Sequence, residues 1–214
     1  MNGRDRIDPL AEYAERLSGP VPAYLEAVER ATFLRTVAPQ MISGRLQGRV
    51  LAMLSRLLRP QRILEIGTFT GYGSLCLAEG LAEGGTLYTI EGDPESASLA
   101  GKHFARSPYA GRITILEGEA VPILADLKPS FDLIYLDADK RSYPAYFPQL
   151  KRLLSVDGLL LADNVCWDGK TVDQRTDPVA EAIDRYNELI LSDSELEVVI
   201  LPLRDGLSVA RRVK

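Results

Sequence analysis

Residues 62–74, reading Arg-Ile-Leu-Glu-Ile-Gly-Thr-Phe-Thr-Gly-Tyr-Gly-Ser, constrain the fold of this chain more than any other stretch. Ile63, Leu64 and Ile66 form an apolar run of strand length, and Gly67 permits a tight bend close to a ligand. Gly71, Gly73 and Ser74 then open an amphipathic segment through Leu75, Leu77, Ala78 and Leu81. A strand that feeds a helix through such a turn is the ligand crevice of an open α/β sheet. The glycines are spaced G-x-x-x-G-x-G, whereas a pyrophosphate fingerprint needs its second glycine close behind the first. On its own the turn reads either as a ligand site or as plain strand-to-helix punctuation.

The rest of the chain agrees with that start. Apolar runs at 86–90, 112–116, 131–136 and 158–162 follow the strand at 62–66, and helical patterns at 72–82, 95–106, 119–126 and 143–154 separate them. This alternation predicts parallel βαβ units. After a helix at 178–191, the runs Leu196–Leu201 and Leu207–Arg212 are joined so briefly that they must form a hairpin, which puts one antiparallel strand in the sheet. Residues 6–60 read as three helices, the first carrying Ile7, Leu10, Tyr13 and Leu17. They form either a cap over the sheet or an oligomer surface. Within them, residues 44–48 read as helix packing. A length of 214 residues suits one domain, with 1–60 as helical cap and 61–214 as α/β core.

Composition narrows the function. With 46% apolar and 26% charged residues and a net charge of −5, the chain reads as an ordinary globular protein and a poor match for nucleic acid. No run approaches a membrane span, and Arg4, Asp5, Arg6 and Asp8 stand where a secretory signal needs apolar residues. Cys76 and Cys166 have no CxxC partner and are expected to be small buried thiols in a reducing compartment, the cytoplasm.

Functional residues of such a sheet collect beyond the carboxyl ends of its strands. Those ends read Gly67, Glu91-Gly92-Asp93, Glu117-Gly118-Glu119, Asp137-Ala138-Asp139-Lys140 and Asp163-Asn164. Glu91 stands where a carboxylate accepts ribose hydroxyls, and Asp93, followed by proline, suits a helix cap. Glu119 is placed either at a purine edge or as favourable charge in a first helical turn. Asp137, Asp163 and Asn164 offer hard oxygen donors for a cation such as Mg²⁺, or simply form turns. Lys140 is either a general base or a solvated lysine. His103, the single histidine, falls in mid-helix away from the strand ends, and no P-loop lysine follows the glycine turn, so a histidine-based triad and triphosphate hydrolysis are set aside.

Taken together, Gln40-Met41, Ser43-Gly44, Glu65-Ile66-Gly67 through Gly71-Tyr72, Thr89-Ile90-Glu91, Gly118-Glu119-Ala120, Asp137 through Lys140 and Asp163-Asn164-Val165 resemble the cation-dependent class I S-adenosylmethionine O-methyltransferases of the catechol and caffeoyl-CoA type, in their small bacterial form. The resemblance implies a Rossmann-like, seven-stranded, mostly parallel sheet with the last strand antiparallel and helices on both faces. It implies a donor site lined by Met41, Ser43, Glu65, Gly67, Glu91, Gly118, Glu119, Ala120 and Asp137, with Phe69 and Tyr72 flanking the methionine moiety. Asp137, Asp163 and Asn164 would hold the cation and Lys140 would be the base. The acceptor would be a small hydroxylated molecule, in the family's case a vicinal aromatic diol, and the assembly a homodimer. One departure is Gly73, where relatives place a serine that contacts the donor carboxylate; Ser74 is the candidate substitute. Trp167 either flanks the acceptor ring or fills a gap beneath its loop. The rival functions are a catalytically silent S-adenosylmethionine-binding module and an NAD-dependent dehydrogenase.

Overall fold

The computed structural model describes residues 9–128, 130–173 and 177–214. Its centre is a seven-stranded sheet: β1 (Arg62–Ile66), β2 (Thr86–Glu91), β3 (Ile113–Glu117), β4 (Phe131–Leu136), β5 (Leu154–Asp163), β6 (Leu196–Leu201) and β7 (Leu207–Arg212). The strand order is β3-β2-β1-β4-β5-β7-β6, with β3 through β5 parallel and β7 antiparallel to both its neighbours. The expected fold is therefore borne out, including the one reversed strand. From β1 the chain first winds outward through β2 and β3, then returns to β4 on the other side. That reversal opens a crevice at the carboxyl ends of β1 and β4.

Strands of a parallel sheet are buried on both faces, which is why β1 is nearly continuously apolar. Ile63 enters one core with Leu87, Leu133 and Leu161, whereas Leu64 and Ile66 enter the other with Ile134, Leu136 and Leu160. The first core is covered by α2 (Ala23–Arg35), α3 (Arg45–Leu58), α4 (Tyr72–Ala78) and α5 (Pro94–Ala105), through Leu25, Leu51, Leu75 and Phe104. The second is covered by α6 (Ala120–Asp126), α7 (Tyr143–Leu153) and α9 (Pro178–Ser192), through Leu124, Leu150 and Ile183. Burying one such leucine is worth about 2 kcal/mol. No helix among the described residues is long and apolar enough to cross a membrane.

The N-terminal helices differ in how they pack. α2 and α3 cover the sheet, while α1 (Pro9–Leu17) buries none of its residues and leaves Leu10, Tyr13 and Leu17 exposed. Ile7 lies outside the described residues. Local differences from expectation have local causes. α4 stops at Ala78 instead of continuing to 82: Gly80 follows, packed so closely on α3 that a Cβ there would lie 2.1 Å from the Ser55 backbone, and the Glu79 side chain is clamped by Arg49 and Arg56 at 2.6 and 2.7 Å. β5 starts at Leu154, four residues early, and its register against β4 slips between Phe131 and Leu133, where Asp157 takes φ 64. The loop after β5 contains a 3₁₀ turn at Trp167–Gly169 and a short α8 (Lys170–Asp173). Cys76 is buried as expected, but Cys166 is only partly so; both are free thiols.

Candidate active site

A cleft of about 870 Å³ opens over the carboxyl ends of the parallel strands. Met41, Ser43, Glu65, Gly67, Phe69, Tyr72, Glu91, Gly118, Glu119, Ala120, Asp137, Lys140, Asp163, Asn164 and Trp167 all line it. Ser74 does not.

The floor is set by Gly67, which bends the chain with φ 96 directly beneath the end of β4. A Cβ there would lie 2.0 Å from the Asp137 carbonyl oxygen. Gly67→Ala therefore meets both backbone strain and a clash with main chain, and should cost roughly 2–5 kcal/mol. Chemical denaturation would measure this, and a loss under about 1 kcal/mol would mean that the strand ends move apart freely.

Glu65 lies below the floor, 1% exposed. Its carboxylate accepts hydrogen bonds from the hydroxyls of Ser74 and of Thr89, the latter at 2.6 Å. Ser74 thus turns to Glu65 and away from the cleft. A Cβ at Gly73 would stand 2.8 Å from the other Glu65 oxygen, so a serine at 73 is incompatible with this carboxylate position. Burial pushes the Glu65 carboxyl up to about 8, opposed by the two hydroxyl donors and reinforced by the charges of Asp137 and Glu91. The folded-state value lies above the ordinary 4.5, so Glu65 contributes stability that is complete below that pH and lost as pH rises through about 8. Melting temperatures of the ligand-free chain should fall between about pH 5 and 8, and Glu65→Gln should flatten that fall. An equally steep fall in the variant would clear Glu65 of it.

Glu91 accepts from the backbone N–H groups of Phe69 (2.7 Å) and Asp93 (2.9 Å), which tie the glycine turn to the tip of β2. Asp93 is the cap of α5, accepting from the N–H and hydroxyl of Ser96 at 3.0 and 2.6 Å. Glu119 occupies the cap position of α6 yet makes no capping bond with its side chain, which leaves an exposed carboxylate at the cleft.

The other half of the cleft is built on β4 and β5. Lys140 Nζ is 2.6 Å from Asp137 Oδ1 and 5.3 Å from the centre of the Tyr143 ring. Asp163, 3% exposed, accepts from the N–H of Asn164 (2.8 Å) and the hydroxyl of Tyr135 (3.4 Å). Burial, with the nearby Asp137 charge, pushes the Asp163 carboxyl above the usual carboxylate range. Asn164 has φ 58, a left-handed conformation that asparagine tolerates. Tyr143 hydroxyl reaches the carbonyls of Leu136 and Asp163, at 3.0 and 3.1 Å, and so joins the ends of the two strands.

The sequence reading missed several supports. Gln47, fully buried, donates to Tyr135 hydroxyl at 3.1 Å, which corrects the view that residues 44–48 serve only helix packing. Arg204, in the β6–β7 turn, donates to the carbonyls of Ile42 (3.1 Å) and Ser43 and holds the rim segment bearing Met41. His103, expected away from the strand ends, in fact touches the glycine turn beyond β1, with Nδ1 2.8 Å from the Thr70 carbonyl. Trp167 packs on the core and donates its indole N–H to Asp177 at 3.3 Å, while its ring also lines the cleft.

No cluster of three or more His, Cys, Asp or Glu side chains suited to a metal is present among the described residues. The expected donors are two carboxylates and an amide oxygen, all hard, at a point where one carboxylate is buried beside another. That chemistry fits an oxygen-seeking divalent cation and does not fit zinc.

The comparisons agree with this geometry. A family model described as O-methyltransferase matches residues 15–213. A catechol O-methyltransferase of Niastella koreensis is 34% identical over 174 residues, spanning 77% of this chain and 79% of that protein. A caffeoyl-CoA O-methyltransferase of Populus kitakamiensis is 32% identical over 179 residues, spanning 78% and 76%. Among solved structures, an O-methyltransferase from Bacillus cereus in complex with SAH superposes with a TM-score of 0.88 at 29% identity, over 95% of this chain and 96% of that one. A family match that spans nearly the whole sequence, over a sheet with one reversed strand and acidic strand tips, assigns this chain to the O-methyltransferase family.

Proposed function

We propose that this O-methyltransferase takes its methyl group from S-adenosylmethionine and delivers it to one hydroxyl of a small aromatic vicinal diol, with a divalent cation, Mg²⁺ first among candidates, held by Asp137, Asp163 and Asn164. The observation that carries the reading is the meeting of Lys140 and Asp137 at 2.6 Å in the same cleft as Asp163, Asn164, Glu91 and Glu119. When bound, S-adenosylmethionine supplies an electrophilic sulfonium methyl and the cation supplies the Lewis acidity that eases ionisation of a diol hydroxyl.

The chain's own residues do the rest. Glu91, pinned by two backbone N–H groups, keeps oxygen lone pairs for the ribose hydroxyls. Glu119 faces the adenine edge, Glu65 underlies the donor, and Phe69 and Tyr72 flank its methionine end. Lys140 Nζ, once it has given up its own proton and stands as the free amine, takes the proton of the acceptor hydroxyl. Trp167 walls the acceptor and Met41 the donor, and together they exclude water, so that much of the rate enhancement comes from orientation in a near-attack geometry. A panel of catechols and monophenols, with S-adenosylmethionine and Mg²⁺ and mass-spectrometric detection, tests the reading. Methylation of monophenols but not of catechols would sink the diol assignment.

Exposed Leu10, Tyr13, Leu17, Met53 and Leu57 on α1 and α3, with Val199 and Ile200 on edge strand β6, support a homodimer through the N-terminal helices or the sheet edge. Light scattering at the monomer mass across micromolar concentrations would remove that assignment.

A further inference from the structure

A second, smaller pocket of about 180 Å³ lies between α2 and α5, and its chemistry differs from that of the main cleft. Its polar wall is formed by Arg35 from α2 and Lys102, His103 and Arg106 from α5, and it has no acidic member. Among the described residues, Arg35, Lys102 and Arg106 have no ion-pair partner, in a chain whose net charge is negative. Ala27 and Ala31 are the small residues that leave room on the α2 side. The pocket is well below the roughly 300 Å³ at which drug-sized sites begin, so it suits a small ion or the terminal group of a longer molecule.

His103 fixes the geometry. A carbonyl can only accept, so the contact at 2.8 Å with Thr70 places the proton on Nδ1 and leaves Nε2 as the unengaged ring nitrogen. Arg35 and Arg106 both act on the ring electrostatically and, with burial, hold it below its ordinary value. The groups facing it are thus Arg35 and Tyr24 from α2, and Lys102 and Arg106 from α5; the Tyr24 hydroxyl is occupied by Glu79 at 3.1 Å. Three cationic side chains and an imidazole thus face one cavity that has no acidic member, an arrangement that attracts an anion.

We propose that this pocket binds a phosphate group, as free phosphate or as a phosphomonoester, at a site separate from the methyl-transfer cleft. Arg35 and Leu99 line both cavities, so the occupant stands against the wall of the cleft. The pocket's two helices are also tied to the glycine turn through Thr70, whose hydroxyl meets Thr32 of α2 at 2.8 Å while its carbonyl meets His103 of α5. The inference does not depend on the cation or the acceptor proposed above.

The test uses the full chain and exploits its single histidine. Inorganic phosphate is titrated in at constant ionic strength while the His103 ring signals are followed by NMR. A saturable shift, with the pH of half-titration raised by about one unit, is expected in phosphate and not in chloride. The double variant Lys102→Gln/Arg106→Gln, altered only at exposed positions, should weaken binding by about tenfold or more and leave S-adenosylhomocysteine affinity unchanged. Saturating S-adenosylhomocysteine should leave the phosphate response in place. Tighter binding of glycerol 3-phosphate than of inorganic phosphate would identify a phosphomonoester as the ligand, and the reverse order the free ion; either supports the site. Equal responses to phosphate and chloride, competition by S-adenosylhomocysteine, or unchanged binding by the double variant would each overturn it.

Discussion

Replacing Lys140 by alanine is expected to lower turnover by about 10²–10⁴-fold while leaving S-adenosylmethionine affinity within about twofold. The size follows from the contribution of a positioned general base. The selectivity follows from placement, because Nζ meets Asp137 and the Tyr143 ring at the tip of β4, whereas Glu65, Glu91 and Glu119 stand on β1, on β2 and after β3. Lys140→Arg separates the two ways in which a lysine can matter. Arginine keeps the positive charge at the strand tip but does not accept a proton at working pH. If arginine fails as alanine does, proton transfer is the role. If arginine restores most of the rate, the charge is what counts, and the base assignment falls. Parallel loss of donor binding and turnover in the alanine variant would make Lys140 a structural residue.

Removing the divalent cation with a chelator is expected to take turnover on a catechol to background, and re-addition of Mg²⁺ to restore it. Asp163→Asn should reproduce the loss at any practical Mg²⁺ concentration, since an amide brings no charge to a buried site. The direction of the Asp163 shift adds a pH signature. Burial and the Asp137 charge make this carboxyl hold its proton to higher pH than an ordinary aspartate, and a cation must displace that proton. More Mg²⁺ should therefore be needed for half-maximal activity as pH falls. A requirement independent of pH would mean that Asp163 is ionised throughout, and full activity in chelator would take the cation out of the reaction.

The sheet was legible because each strand is a short apolar run ended by a change in chemistry. Ile66 gives way to Gly67, Ile90 to Glu91, Leu136 to Asp137 and Ala162 to Asp163, so topology alone sends those acids to one rim. Contacts within a turn were equally legible: Lys140 lies three residues after Asp137, and Asp93 caps the helix that follows it. Contacts between distant segments were not. Gln47 reaches Tyr135 across 88 positions, and nothing in a helical stripe distinguishes a glutamine that supports an aspartate from one that fills space. Tyr135 sits within the apolar run of β4 and Tyr143 opens α7, and nothing in either setting marks a hydroxyl that reaches Asp163. Ser74 shows the opposite failure. The resemblance offered it as the substitute for a cofactor-contacting serine at 73, but the buried carboxylate of Glu65 gives its hydroxyl a partner away from the cleft.

The hydroxyl of Tyr143, clasping the carbonyls of Leu136 and Asp163, makes the ends of β4 and β5 behave as a calliper locked at one opening. Both carboxylates of the proposed cation site hang from its jaws, so the gauge between them is inherited from the sheet and cannot widen to suit a larger guest. The walls are another matter, because Met41 and Trp167 belong to segments outside the strands. Under the proposed function, substitutions in those walls would change which acceptor is taken without resetting the gauge that holds the cation.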